Sequence, residues 1–133
     1  MLKLAQLMSK QEGFGVPRAI PTVRNNPLDL RHSPHSSHDG IAPDAIGIID
    51  TVEHGWEDGE RQIRLTAERH PSITLHDFIA GQRDASGKVI PGGYPGWAPH
   101  EDGNDPPAYV ARLCLGLRCS PTTLLADLLE ITA

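Results

Sequence analysis

Glu12 is the residue whose type and place first invite chemistry. It closes a candidate helix over residues 2–12, where Leu4 and Met8 precede it at four-residue intervals. Its side chain therefore continues the inward stripe rather than the wet face. It also lies in the last turn, where the negative end of the helix dipole disfavours a carboxylate. Partial burial beside Phe14 is expected to push in the same direction, toward the protonated acid. A carboxylic acid kept protonated near neutrality is what a glycosidic leaving oxygen needs. On residue type and position alone, an exposed glutamate at a frayed helix end is the plainer reading.

A second carboxylate would decide how such a reaction finishes. Asp29, Asp39, Asp50 and Asp102 are available, but each also suits a turn or cap, and spacing sets none of them opposite Glu12. His32, His35, His38 and Asp39 form a second constellation at three-residue spacing within one segment. Histidine is a common zinc ligand, yet the segment has no cysteine and no matched second cluster, so surface or cleft-lining imidazoles are expected and no metal is assigned. Tyr94 and Trp97 fall in a loop, where an aromatic ring is free to stack on a sugar. Trp56 instead falls on a helical stripe and is read as core.

The elements that must position these groups are mainly helical. After the first helix, Gly13 to Pro43 is rich in Pro, Asn, Ser, Gly and His, which opposes regular structure. A loop of that length in a compact domain tends to carry function. Ala45–Asp50 is a short apolar run, read as a strand or buried extended segment. Thr51 is a plausible N-cap for a helix over 52–69, with Val52, Trp56, Gly59, Ile63 and Ala67 inward. The charged side of that helix, Glu57 to Arg64, reads as a solvated face braced by Glu57–Arg61 and Glu60–Arg64 pairs. Thr74 caps a short helix over Leu75–Ala80, and Pro71 precedes it. Residues 81–104 form a second Gly/Pro-rich loop, in which Lys88–Ile90 suits a small hairpin. Asp105-Pro106 and Ser120-Pro121 both read as helix starts. The second of these is expected to carry a stripe of Leu124, Leu125, Leu128 and Leu129. The fold class expected is mainly α, α+β at most, in one domain over 1–133 with long loops and a minor strand or hairpin.

Composition narrows the function classes. A chain of 133 residues is long enough for one core without disulfide or metal support. A net charge of −5, with scattered Lys and Arg, argues against a nucleic-acid partner. No apolar run approaches membrane-spanning length, so no membrane insertion is expected, and the opening segment lacks the features of a signal peptide. Cys114 and Cys119 stand five apart. On a continuous helix they would point about 140° apart, so two buried thiols are expected, although a reversal after Gly116 would bring them together.

The run Glu12-Gly13-Phe14, Ile20-Pro21-Thr22, Arg24-Asn25-Asn26-Pro27 and Asp29-Leu30 resembles a lysozyme-like, lytic-transglycosylase-like family of phage and prophage peptidoglycan-degrading proteins. The resemblance continues in order through Gly55-Trp56, Gln62, Trp97-Ala98-Pro99, Gly103-Asn104-Asp105, Tyr109, Leu117 and Ser120-Pro121-Thr122. It departs at Leu28, where the family usually has glycine, and in lacking one asparagine of the usual three. The resemblance implies a lysozyme-like helical fold that cleaves the MurNAc–GlcNAc linkage of peptidoglycan, with Glu12 as catalytic acid. Asn25, Asn26, Tyr94, Trp97 and Asn104 are the implied substrate-binding residues, and no cofactor is implied. It further implies a product made in the bacterial cytoplasm without a signal peptide. Such a product acts at the cell wall after release or within a phage particle, beside other virion proteins. Two alternatives stand beside this: a virion structural or wall-binding module with little activity, and a zinc-dependent hydrolase using His32, His35 and His38.

Overall fold

The computed structural model describes residues 1–37 and 46–133. His38 and Asp39, and Ala45 at the head of the expected strand, lie outside the described residues. The chain divides into two compact units, Met1–Ile63 with Thr132–Ala133, and Arg64–Ile131. Mainly helical structure is what the caps and stripes of the sequence require, and it is what forms, with one small two-stranded sheet among the described residues.

In the first unit, α1 (Lys3–Glu12) buries Leu4, Ala5, Met8 and Ser9. Gly13 ends it in the left-handed region at φ 92°, and the Phe14 N–H returns to the Ser9 carbonyl at 3.0 Å. This is the six-to-one closure that a glycine after a helix allows. A short helix, α2 (Ile20–Val23), interrupts the stretch expected to be irregular. Pro21 sits in its first turn, where a missing N–H loses no helical bond. Strands β1 (Ser36–Ser37) and β2 (Ile48–Ile49) pair antiparallel, with Ser36 opposite Ile49. The leading chain end is tied down by the Leu2 N–H, which donates to the Glu60 carboxylate at 2.8 Å.

Helix α3 (Val52–Arg69) starts as its cap predicts, with the Thr51 hydroxyl accepting from the His54 N–H at 3.1 Å. Its buried face is rotated from the expected stripe: Gly55, Asp58, Gly59, Ile63, Thr66 and Ala67 are buried, while Val52 and Trp56 are only half-buried. The glycines explain the rotation. A Cβ on Gly55 would collide with the Asn25 carbonyl oxygen, and one on Gly59 with the Leu28 side chain. The segment 25–28 therefore lies directly on the helix backbone.

In the second unit, α4 (Leu75–Ala80) is capped by Thr74, whose hydroxyl accepts from the Asp77 N–H at 3.2 Å. Helix α5 (Pro106–Leu117) begins on Asp105, whose carboxylate accepts from the Ala108 N–H at 3.2 Å. The expectation of a helix from Ser120-Pro121 needs correction. Residues 120–123 instead form a turn, with Thr123 N–H to Ser120 O at 3.1 Å, and Leu124 bridges Thr74 antiparallel, flanked by Leu75 N–H to Thr123 O at 2.8 Å and Leu125 N–H to Ile73 O at 2.9 Å. That bridge to the α4 approach holds Leu124 extended, so α6 is confined to Leu125–Leu128, and Leu124 remains exposed. The expected hairpin exists as one bridge, Arg83 opposite Val89.

Candidate functional site

Glu12 is the last residue of α1 and is half-buried, one helical turn beyond the fully buried Met8. Two residues later the Phe14 ring meets Trp56 edge-on, with centroids 5.3 Å apart and planes at 74°. That contact holds the end of α1 to α3 by an aromatic pair, worth about 1 kcal/mol beyond its buried area.

The polar segment after α2 is built from its own asparagines. Asn25 adopts a left-handed backbone, φ 52°, and its side-chain amide donates to the Ile49 carbonyl at 3.1 Å. Asn26 has no exposed surface. Its amide donates to the Leu30 and Gly47 carbonyls at 2.8 and 2.9 Å, and its oxygen accepts from the Leu30 N–H at 2.9 Å. Buried polar atoms so fully satisfied are a loop's scaffold, so Asn26 supports the segment while the half-buried Asn25 stays near its surface. Leu28, the departure from the family pattern, is buried against the bare face of Gly59.

The charged face of α3 conceals a second feature that sequence reasoning missed. Asp58, placed there among solvated residues, is 1% exposed. It accepts from the Ser33 hydroxyl at 2.6 Å and the His35 N–H at 2.9 Å, and it meets His35 Nδ1 at 2.7 Å. Burial pushes its carboxyl up, but the hydrogen bonds from Ser33 and His35 outweigh this and hold it below its ordinary value. The hydrogen bond to Asp58 in turn raises the His35 imidazole, with the charges of Asp58, Glu57 and Asp50 adding to it against desolvation. His35 stacks on His54, centroids 3.7 Å apart and planes at 9°. His54 Nδ1 meets Asp50 at 2.7 Å, and that hydrogen bond holds the Asp50 carboxyl low. The available signal was the four-residue spacing of Asp50, His54 and Asp58, which sets all three along one side of the helix start. Among the other carboxylates considered, Asp29 is half-buried at a left-handed turn and Asp102 is exposed.

The second unit holds the remaining expected contacts. Tyr94 lies between Phe78, stacked at 5.8 Å and 17°, and His70 at 5.8 Å. Burial pushes its phenol up to about 12, against the hydrogen bond with Thr66. Tyr94 is thus a packed ring with a satisfied hydroxyl. Trp97 is half-buried beside Phe78 at 5.4 Å, and the Asn104 amide donates to the Pro99 carbonyl at 3.3 Å. Arg83, unnoticed in the sequence, organises this loop: its guanidinium reaches the carbonyls of Ala80, Gly87 and Pro95 and the Glu101 carboxylate at 2.7 Å.

No family model, curated protein or solved structure matches the chain. The site must therefore be judged on its own donors.

Those donors fit a metal poorly. Imidazole lone pairs lie in the ring plane, and the parallel rings of His35 and His54 cannot both aim at one ion. Among the described residues, no group of three or more His, Cys, Asp or Glu is arranged to hold a metal ion. What the Asp–His pairs do chemically is fix ring orientation, and through Ser33 and His35 they tie the β1 approach to α3.

Proposed function

We propose that this protein cleaves the glycan strand of bacterial peptidoglycan at the MurNAc–GlcNAc linkage, with Glu12 donating the proton. The observation that carries the reading is the half-buried Glu12 on the final residue of α1. A helix carboxyl end is unfavourable to a carboxylate, and an acid at such a place is suited to giving up a proton as the C1–O bond breaks. The resemblance of residues 12–30 to the lysozyme-like family supports the same role and a lysozyme-like form for the fold. Asn25, half-buried in the same unit as Glu12, is the proposed sugar contact. Asn26 acts behind it as scaffold.

The oxocarbenium ion left by bond cleavage is completed in one of two ways. Water activated by a second carboxylate gives a reducing end, the muramidase outcome. Attack by the sugar's own hydroxyl gives an anhydro end, the lytic-transglycosylase outcome, in which Glu12 takes the proton back as base. Mass analysis of muropeptides released from purified sacculi tests the proposal and separates these outcomes. Soluble muropeptides from the native chain and none from Glu12→Gln are expected. Co-sedimentation of the native chain with sacculi, without any release, would instead identify a wall-binding or virion module. Equal release by Glu12→Gln would remove Glu12 from the mechanism.

A further inference from the structure

The end of α5 brings its two cysteines together. Arg118 turns the chain through the left-handed region at φ 54°, and the Cys119 N–H returns to the Cys114 carbonyl at 3.3 Å. That six-to-one closure sets the first residue past the turn over the helix's last full turn, a position where an apolar pair commonly forms. Here both members of the pair are thiols, with sulfurs 3.9 Å apart and both residues half-buried. The reversal comes at Arg118 rather than after Gly116, and it cancels the divergence that a continuous helix would impose.

We propose that Cys114 and Cys119 are a thiol–disulfide exchange site that closes to an intrachain bridge on meeting a small disulfide donor such as oxidised glutathione. Burial and the neighbouring Cys114 sulfur push the Cys119 thiol up to about 11, which suits Cys119 to the second, intramolecular step, where proximity carries the attack. The Cys114 thiolate attacks one sulfur of the donor, a mixed disulfide forms, and one glutathione leaves as thiolate. Cys119 then loses its proton to solvent and attacks the Cys114 sulfur. The second glutathione leaves as the Sγ–Sγ bond forms. Two protein thiols and one oxidised glutathione thus give one protein disulfide and two reduced glutathiones. Ring closure is favoured because the second thiol is already held beside the first. The bridge would clamp a turn whose left-handed residue is not glycine, so oxidation should stabilise the fold.

The test is intact-mass analysis of the folded, reduced chain after incubation with oxidised glutathione at mildly alkaline pH. Loss of two hydrogens, no retained glutathione, and a peptide linking Cys114 to Cys119 are expected. Cys119→Ser should stop at one glutathione adduct on Cys114. Oxidation should raise the melting temperature by about 5 °C. Dithiothreitol should reverse that shift, and the doubly serine-substituted chain should not show it. Stable glutathione adducts on both sulfurs of the native chain would overturn the proposal. So would thiols that react only after unfolding in urea.

Discussion

Helices α1 and α5 end by the same backbone device and use it in opposite ways. Each closes with a six-to-one hydrogen bond, Phe14 to Ser9 in one and Cys119 to Cys114 in the other. At α1 the left-handed residue is Gly13, and the next side chain leaves its own helix to meet Trp56 on α3. At α5 the left-handed residue is Arg118, and the next side chain folds back onto its own helix. The first end is anchored by tertiary packing and carries Glu12 at a fixed place. The second is closed locally and carries a pair of thiols. One motif therefore supplies either a rigid platform or a self-contained clasp, depending on where its following side chain goes.

The comparison can be broken most severely at Glu12. Glu12→Gln keeps the volume and the helix end, so muropeptide release should fall by about a hundred- to ten-thousand-fold, while the urea midpoint stays near native. Next comes the segment that follows α1. Asp58→Asn removes a buried charge that holds Ser33 and His35, and should destabilise the chain by about 2 kcal/mol in urea titration. The pH dependence has a definite sign. The stabilisation from Asp58, whose carboxyl is lowered, is present above its ordinary 3.8 and is lost as pH falls through the folded value. That from His35, whose imidazole is raised, is present below its ordinary 6.5 and is lost as pH rises through the folded value. The gap between native and Asp58→Asn should thus be widest between these limits and narrow on both sides.

The two left-handed residues give the sharpest contrast. Gly13→Ala has room for its methyl group, with Ala19 Cβ 3.9 Å away, so its effect isolates backbone strain. It should destabilise the protein by roughly 1–2 kcal/mol. Arg118→Gly relieves such strain and should stabilise by up to about 1 kcal/mol, read as a higher urea midpoint of the reduced protein. Because the two substitutions are the reverse of each other, effects of equal size and opposite sign would show that the two ends are not held differently.

Local signals in the sequence reached far into the fold. Gly13, Thr51, Thr74 and Asp105-Pro106 each mark a helix boundary by a bond the boundary residue itself makes, and such bonds are short-range. The pairing of Leu124 with Thr74 is not short-range, and Ser120-Pro121 therefore reads as a helix start when it opens a turn that leads into that bridge. The candidate site divides along the same line. Glu12 was legible because its helix face and helix end are both local facts. Asp58 was not, because its three hydrogen bonds come from Ser33 and His35, far back in the chain, and without them it is one more acid on a charged helix. Asn26 and Tyr94 were legible as polar and aromatic loop residues, but which way each faces depends on partners the loop acquires only on packing.

Gly55 and Gly59 bear on the order in which the chain folds. Two glycines four apart weaken the leading half of α3 by about 1 kcal/mol each relative to alanine, so that half is a poor helix while it stands alone. The surface they leave bare is the one that Asn25, Pro27 and Leu28 occupy, some thirty residues earlier in the chain. Helix formation there is thereby coupled to a distant docking event, which slows the search but makes it all-or-none. A chain carrying alanine at both positions would form α3 early and strongly, and would then have no seat for the segment that follows α2.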